Sequence, residues 1–421
     1  MAPPDEHVST VAVTSVQALH RFERLGQTAS GKEVQGVVEA SDDGGTGEPA
    51  AAEVRPPLDL LVTGTVFLDL IFTGLRTAPV GGREVMADGM GSSPGGAATL
   101  AVAAARLGLA TGLAAAFGSD VYGDYCWSTL EEDEGVDLSA SRRIPDWHSP
   151  VTVSLAYDDD RAMITHSHEP TFEPAAYGTV PDARACFTDV GTTRAPWVDG
   201  LVERGTLVFA DVGWDGSGSW DAAALRERLD GCHAFVPNAA EAMAYTATTH
   251  PGAALEVLRD WVPLAVVTAG NGGAYAADDR SGETVWVPGL PVPAIDPTGA
   301  GDVFLAAMVA GTLRRWPLQQ RVRFANLAAA LSVRDLGGAL AAPGWADVCD
   351  WWTSLDQSSR FTRDYAFLED LLGESDHRMF GRAVPTIGFH NGSHDHSRHG
   401  PRPERPVHPS PFGTTTDQEK P

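Results

Sequence analysis

Short apolar segments alternate with alanine-rich and amphipathic segments through the middle of the chain. Apolar runs occupy residues 58–64, 207–212 and 264–270, and each ends at a glycine or next to one. Runs of this length, bounded by turn residues, are typical of strands buried in a parallel sheet. Alanine-rich runs at 97–107 and 303–311 have the length and the glycine boundaries of helices. This alternation predicts an α/β fold with a mostly parallel sheet and helices on both faces.

Two segments carry a different pattern, in which apolar and polar residues alternate with a period of two. The first is 81–91, with its alternation around Glu84, and the second is 151–166, with a turn of three aspartates at 158–160. A period of two indicates strands, and two such runs around a turn indicate a hairpin. We expect these strands to project from the main sheet.

The ends of the chain differ in composition from its centre. Residues 1–56 include a stretch at 39–53 rich in Gly, Ala, Asp and Glu, and we predict a disordered or peripheral extension there. The predicted folded domain covers 57–352, and a candidate docking helix lies within 353–372. Residues 373–421 are rich in Pro, His, Ser and Gly, which predicts a disordered tail.

Charge and composition narrow the functional classes. The chain has 30 Lys and Arg against 56 Asp and Glu, a formal net charge of -26. This balance argues against nucleic acid and against an anionic membrane as partners. The four cysteines form no CxxC pair, and we find neither a signal peptide nor an apolar run long enough to span a bilayer. The expected location is the cytoplasm.

The heptad from Asp296 to Asp302, DPTGAGD, precedes the second alanine-rich run. Gly299 and Gly301 allow the backbone to approach a ligand closely. The first turn of the following helix would present unpaired N–H groups and a partial positive charge, which together suit an anion. Asp302 beside such a site could accept a proton from an attacking hydroxyl. An ordinary glycine-rich turn with a helix-capping aspartate is the alternative.

The heptad resembles the D-x-x-G-A-G-D motif of the ribokinase-like (PfkB) carbohydrate kinases. The resemblance extends over about residues 58–350 and implies a ribokinase-like fold with a small β lid at about 76–94 and 148–168. It implies that Asp302 is the catalytic base and that the amides of Gly299, Ala300 and Gly301 form the anion hole.

The resemblance also places an acceptor site upstream. Asp69, which we expect in the loop after the first strand, resembles the first substrate aspartate of the family. Gly95 and Gly96 resemble the glycine pair that lets the backbone approach the sugar. Thr99 stands where the family usually has Asn, and the segment is one residue short. The chain departs from the family pattern here, so the identity of the acceptor stays open.

Residues for the nucleotide and metals follow from the same resemblance. Asn238 and Glu241 match the N-x-x-E motif that arranges Mg²⁺ near the ATP phosphates. Their spacing is also typical of a helix capping box. Candidate ATP contacts are Thr268, Gly270, Gly273 and Asn326. Asp296 and Thr298 are candidate ligands of a monovalent cation such as K⁺.

The predicted activity is transfer of the γ-phosphate of ATP to a hydroxyl of a sugar or sugar-like molecule. Two alternatives are a nucleoside kinase of the same fold, acting on an adenosine-like acceptor, and a non-catalytic relative that senses a ligand. Pairing of lids between subunits makes a homodimer a candidate assembly.

Overall fold

The computed structural model describes residues 57–157, 160–168, 180–191, 194–213, 215, 217–356 and 359–374. The predicted N-terminal extension and the tail beyond residue 374 lie outside the described residues. No helix in the described ranges combines the length and the apolar character that a membrane span requires.

The strands of the described residues fall into three sheets. Their bounds are β1 (Leu58–Thr63), β2 (Val66–Thr73), β3 (Gly89–Gly96), β4 (Thr111–Ala114), β5 (Ala116–Gly118), β6 (Arg142–Ile144), β7 (Val151–Tyr157), β8 (Asp160–His166), β9 (Ala183–Asp189), β10 (Leu207–Asp211), β11 (Ala234–Phe235), β12 (Leu264–Thr268), β13 (Ala274–Asp278) and β14 (Glu283–Val287).

The α-helices occupy most of the connections between these strands. Their bounds are α1 (Ala97–Arg106), α2 (Val121–Ser128), α3 (Trp197–Glu203), α4 (Ala222–Arg228), α5 (Ala239–Thr246), α6 (Pro251–Leu258), α7 (Ala300–Leu313), α8 (Leu318–Ser332), α9 (Trp345–Thr353), α10 (Arg360–Asp364) and α11 (Phe367–Glu374). One π turn (Thr129–Asp133) and two 3₁₀ turns (Gly270–Gly272 and Gly338–Ala341) complete the described helical segments.

The largest sheet has eight strands in the order β14-β13-β12-β11-β10-β9-β1-β4. Strands β4, β1, β9, β10, β11 and β12 are parallel, and β13 and β14 form an antiparallel edge. Leu264 and Val266 of β12 join the hydrophobic core on one face, while Ala265 and Val267 join the core on the other. Successive side chains of a strand point to opposite faces, so both faces are covered. The predicted α/β fold is confirmed.

A separate four-stranded sheet has the order β3-β2-β7-β8. The hairpin of β7 and β8 is antiparallel, as its period of two predicts. The prediction of a strand around Glu84 is wrong, since residues 83–87 form no strand and β3 begins only at Gly89. This sheet carries part of each range for which we predict a lid, but its action as a lid stays a prediction.

The segment expected to form one docking helix forms two short helices instead. Tyr365 separates α10 from α11 with a backbone φ of -113°, outside the helical range. The break turns Tyr365 and Leu368 into the core, where they are 3% and 0% exposed. The phenol of Tyr365 also donates to the carbonyl of Arg323 at 3.2 Å, which anchors the break to α8.

Candidate active site

Helix α7 begins inside the glycine-rich heptad, at Ala300. Gly299 precedes it with a backbone φ of 76°, a left-handed conformation that glycine adopts without steric cost. No side chain caps this end of the helix. The 14-residue helix therefore directs first-turn N–H groups and the positive end of its dipole toward whatever lies in front of the loop. This geometry suits an anion.

Asp302 lies in the first turn of α7 and is half-buried. Burial raises the pKa of this carboxyl to about 7, because a desolvated carboxylate is less stable in its charged form. A carboxyl with a pKa near neutrality can both accept and release a proton under physiological conditions.

Three further acidic side chains lie at the same edge of the large sheet. Asp189 ends β9, Asp211 ends β10 in register with it, and Glu241 follows β11 in the first turn of α5. Burial, followed by the charge of Glu241, holds the pKa of Asp211 well above its usual range, and Asp302 and Asp189 act in the same direction. The carboxyl ends of parallel strands thus gather negative charge that a cation would relieve.

A cavity of about 200 Å³ lies beside the start of α7. Four predicted nucleotide contacts line it: Thr268, Gly270, Gly273 and Asn326. Ala300 and Gly301 of the predicted anion hole line the same cavity, together with apolar side chains such as Leu290 and Phe304. A largely apolar pocket that opens onto a helix N-terminus can hold a planar base at one end and phosphates at the other.

Asn326 also has a structural task at this cavity. Its Nδ2 atom donates to the carbonyls of Val287 and Pro288 at 3.1 and 3.3 Å. These bonds fix the chain that leaves β14 and forms one wall of the pocket.

The structure places Asp69 on a strand, not in the loop that we expect. Asp69 lies in the middle of β2, opposite Ser93 of β3, and is 8% exposed. The expectation is wrong because the chain resumes a strand at Val66, two residues after Gly64, in the small sheet. The predicted glycine pair is nevertheless close: a Cβ atom on Gly95 would collide with the Asp69 carboxylate.

Gly338 connects this acceptor region to the heptad. A Cβ atom on Gly338 would lie 3.8 Å from Cγ2 of Thr298 and 3.9 Å from Oδ2 of Asp69. The heptad therefore contacts the cavity through Ala300 and Gly301, and through Gly338 it comes near Asp69.

Thr99 packs against the heptad loop. It lies on α1, is 2% exposed, and its Cγ2 atom would be 2.5 Å from a Cβ atom added to Gly299. The threonine thus closes the space behind the loop, and its predicted contact with the acceptor stays a prediction. Gly96, which precedes α1, has a backbone φ of 61° and would bring a Cβ atom onto the carbonyl of Thr65.

Asn238 and Glu241 form a complete capping box at the start of α5. The Asn238 side chain accepts from the Glu241 amide, and the Glu241 carboxylate accepts from the Asn238 amide, both at 3.0 Å. Glu241 is 6% exposed, and burial raises the pKa of its carboxyl. The motif therefore has a structural role whatever else it does.

Asp296 carries a buried oxygen without a hydrogen-bond partner in the described part of the chain. Its Oδ1 atom accepts from the Thr298 amide at 3.0 Å, while Oδ2 is left unpaired. A buried unpaired carboxylate oxygen is costly unless a cation or water satisfies it.

Three residues at this edge are absent from the candidate set that we draw from the sequence: Asp189, Asp211 and Gly338. The two aspartates each stand at the last position of a buried strand, and that position was the available signal. The glycine pair at 337–338 is visible in the sequence, but the approach of Gly338 to Asp69 and Thr298 joins segments that are far apart in sequence.

The sequence of the described fold matches a known family. Residues 204–344 match the model of the pfkB family of carbohydrate kinases. A ribokinase of Bacillus subtilis is 26% identical over 298 residues, which cover 68% of this chain and 96% of that protein. Residues 204–344 thus match the PfkB family, and the similarity to the ribokinase extends over about two thirds of the chain. The family predicted from the heptad is confirmed, and the protein is a phosphotransferase with a hydroxyl acceptor.

Other PfkB-family relatives differ in the acceptor they are named for. A nucleoside kinase of Methanothermobacter thermautotrophicus is 26% identical over 270 residues, which cover 62% of this chain and 84% of that protein. An E. coli protein described as ribokinase II, solved in complex with ATP and Mg²⁺, superposes with a TM-score of 0.59 at 19% identity. This superposition covers 71% of this chain and all of that one, and it shows the shared fold.

Proposed function

We propose that the protein transfers the γ-phosphate of ATP to a hydroxyl group of a sugar or sugar-like small molecule. One observation carries the proposal: the heptad loop contacts the nucleotide cavity through Ala300 and Gly301 and approaches Asp69 through Gly338. A donor held in the cavity and an acceptor held by Asp69 would thus meet beside Asp302. Holding both reactants in one orientation supplies a large part of the rate in such reactions.

In the proposed reaction Asp302 accepts the proton of the acceptor hydroxyl. The acceptor oxygen forms a bond to the γ-phosphorus, and the bond between that phosphorus and the bridging oxygen of ADP breaks. The amides of Gly299, Ala300 and Gly301 stabilise the charge on the phosphoryl oxygens during transfer. Gly95 and Gly96 give the acceptor room to lie against the backbone near Asp69.

The residues present fit Mg²⁺ as a cofactor bound through water and phosphate. Glu241, Asn238 and Asp211 supply oxygen atoms, which Mg²⁺ prefers. Among the described residues no three His, Cys, Asp or Glu side chains form a direct metal cage, and Mg²⁺ usually keeps several waters. When bound, Mg²⁺ neutralises phosphate charge.

A monovalent cation such as K⁺ fits beside Asp296. The unpaired Oδ2 atom of Asp296 is a buried acceptor, and Thr298 provides a neighbouring hydroxyl. A cation there would remove the cost of the unpaired oxygen and steady the loop that carries the anion hole.

A panel of pentoses, hexoses and nucleosides, with ADP release as readout, tests the proposal. We expect ADP release to depend on at least one of these acceptors. Release with nucleosides alone would favour the nucleoside kinase alternative, which the similarity to the archaeal nucleoside kinase supports. Dependence on none of them would contradict the proposal.

A comparison of rates in potassium and tetramethylammonium salts tests the proposed cation site beside Asp296. Equal rates in the two salts would contradict the cation site.

The pH profile should report the titration of Asp302. Its pKa is about 7, so the carboxylate that accepts the proton is present above that pH and is lost below it. We expect kcat/KM for the acceptor to fall about tenfold per pH unit on the acid side of 7 and to level off on the alkaline side. A profile that stays flat through that region would exclude Asp302 as a base with this pKa.

Glu241→Gln should separate the metal role of this residue from its capping role. The glutamine oxygen can still accept from the Asn238 amide, so the free energy of unfolding should change little. Loss of the charge should raise the Mg²⁺ concentration for half-maximal activity by about tenfold or more. Glu241→Ala, which also removes the cap, should lower stability by about 1 kcal/mol. An unchanged Mg²⁺ requirement in Glu241→Gln would assign the motif to capping alone.

A further inference from the structure

A second and larger cavity lies at the opposite edge of the large sheet from the candidate active site. Its volume is about 810 Å³, and it is lined at the amino end of β10, by His233 before β11 and by the turn between β13 and β14. The end of α7 and the start of α8 close it. None of the residues in the proposed reaction lines this cavity.

The cavity concentrates positive charge in an acidic protein. Four guanidinium groups line it, against two carboxylates: Arg184, Arg280, Arg315 and Arg321 against Asp278 and Glu283. Two of the four are offset by ion pairs, Arg184 with Asp59 at 2.7 Å and Arg321 with Asp278, which leaves Arg280 and Arg315 as the cationic groups of the cavity.

Both carboxylates are already engaged by the protein. Asp278 pairs with Arg321 and also accepts from the backbone amide of Arg280. Glu283 accepts from the backbone amide of Leu318 at 2.9 Å. By contrast, Arg280 and Arg315 are exposed and form no ion pair within the described ranges.

His233 supplies an independent sign of a missing ligand. It is 5% exposed, and both ring nitrogens are buried without a hydrogen-bond partner in the described part of the chain. The ring rests edge-on against Phe209. Burial, together with the nearby Arg280 and Arg321, lowers the pKa of His233 to about 4, so the ring is neutral at physiological pH and can donate one hydrogen bond.

The start of α8 points its positive end into the same space. Pro317, which precedes this 15-residue helix, lines the cavity, and the Glu283 carboxylate bonds the first amide. The negative end of α7 is also close, but the carbonyl of Leu313 already accepts from Arg184 at 3.1 Å. The two helix termini therefore bring opposite partial charges, each partly offset by one side chain, and the preference for an anion comes from the arginines and His233.

We propose that this cavity is a binding site for a small phosphate-bearing anion, held by Arg280 and Arg315 at its mouth and by His233 at its base. Guanidinium groups bind phosphate oxygens through paired, charge-assisted hydrogen bonds, and the neutral imidazole adds a directional one. The site is independent of the proposed activity, but α7 joins the two: it starts at the anion hole and ends at this cavity. Occupancy can therefore bias the position of Asp302.

Calorimetric titration of the full chain with inorganic pyrophosphate tests the site. The double substitution Arg280→Ala with Arg315→Ala should raise Kd by at least about tenfold, as expected when charge-assisted hydrogen bonds are lost. The matched control removes two exposed arginines elsewhere, Arg226→Ala with Arg259→Ala, and should leave Kd within about twofold.

Three results would overturn the proposal: no binding by the wild type, equal Kd in the wild type and the cavity variant, or equal weakening in both double variants.

A second measurement locates the ligand. The ring nitrogen resonances of His233, assigned by their loss in His233→Gln, should shift on addition of pyrophosphate. Unmoved resonances at saturation would also overturn the site. Thermal unfolding of each variant checks that the fold is retained.

Discussion

Asp302→Asn should lower the rate of phosphoryl transfer by at least about 10²-fold while ATP binding is retained, because the amide fills the same space but cannot accept the hydroxyl proton. The measurements are kcat with the best acceptor of the panel and a direct titration with ATP. Retention of more than about a tenth of the wild-type rate would exclude Asp302 as the base, since base catalysis contributes more than that.

The free energy of unfolding of Asp302→Asn distinguishes a loss of catalysis from damage to the fold. The pKa of Asp302 is raised in the folded state from 3.8 to about 7, so the folded protein holds a proton in that range that the unfolded chain has released. The wild type therefore loses stability as the pH rises from 3.8 to about 7. Asp302→Asn avoids this loss and should be more stable above neutral pH by ~2 kcal/mol, after a discount for partial exposure. Asp260→Asn, at an exposed position after α6, should change neither activity nor stability.

Gly299→Ala should reduce transfer by about 10²-fold and destabilise the fold by ~2 kcal/mol or more. The backbone φ of 76° at this position is costly for any residue with a Cβ atom, and the new atom would stand 2.5 Å from Cγ2 of Thr99. Either α1 or the loop must shift, and the amides of the proposed anion hole move with the loop. Steady-state kinetics and denaturant unfolding measure the two effects.

Two matched variants separate the backbone contribution from the steric contribution to the loss of stability in Gly299→Ala. Gly135→Ala has a similar φ of 68° but no atom within 4 Å of the added Cβ, so it should show the backbone cost alone. Thr99→Ser removes the methyl group that would clash, and adding it to Gly299→Ala should recover part of the stability. If Gly299→Ala costs no more than Gly135→Ala, the contact with Thr99 does not constrain the loop.

Local patterns in the sequence predicted the parts of the molecule that depend on local chemistry. The apolar run 264–270 became β12, and the DPTGAGD heptad became a left-handed glycine followed by α7. The N-x-x-E motif formed the capping box that its spacing indicates. Each outcome follows from residues within a few positions of one another, where propensity and hydrogen bonding act directly.

Contacts between distant segments were not accessible in this way. Asp69 lies under Gly95 because β2 pairs with β3, and Thr99 supports Gly299 because α1 packs on α7. The antiparallel strand β13 follows the apolar run closely, and its small alanines carry little strand signal. The arginine-lined cavity unites residues from 184 to 321, so no window of sequence contains its pattern.

The strands that carry residues of the proposed acceptor site and of the proposed nucleotide site belong to different sheets. Asp69 and Gly95 lie on the small sheet, whereas Thr268 ends a strand of the large one. Substitutions can therefore accumulate around the acceptor without disturbing the strands that hold the phosphate donor. With the two sets of residues on separate sheets, the acceptor can change while the strands of the large sheet stay the same. This accounts for relatives that are named for nucleosides and for ribose. Changing the acceptor of this enzyme by directed evolution should accordingly require libraries only in the small sheet and at Thr99 of α1.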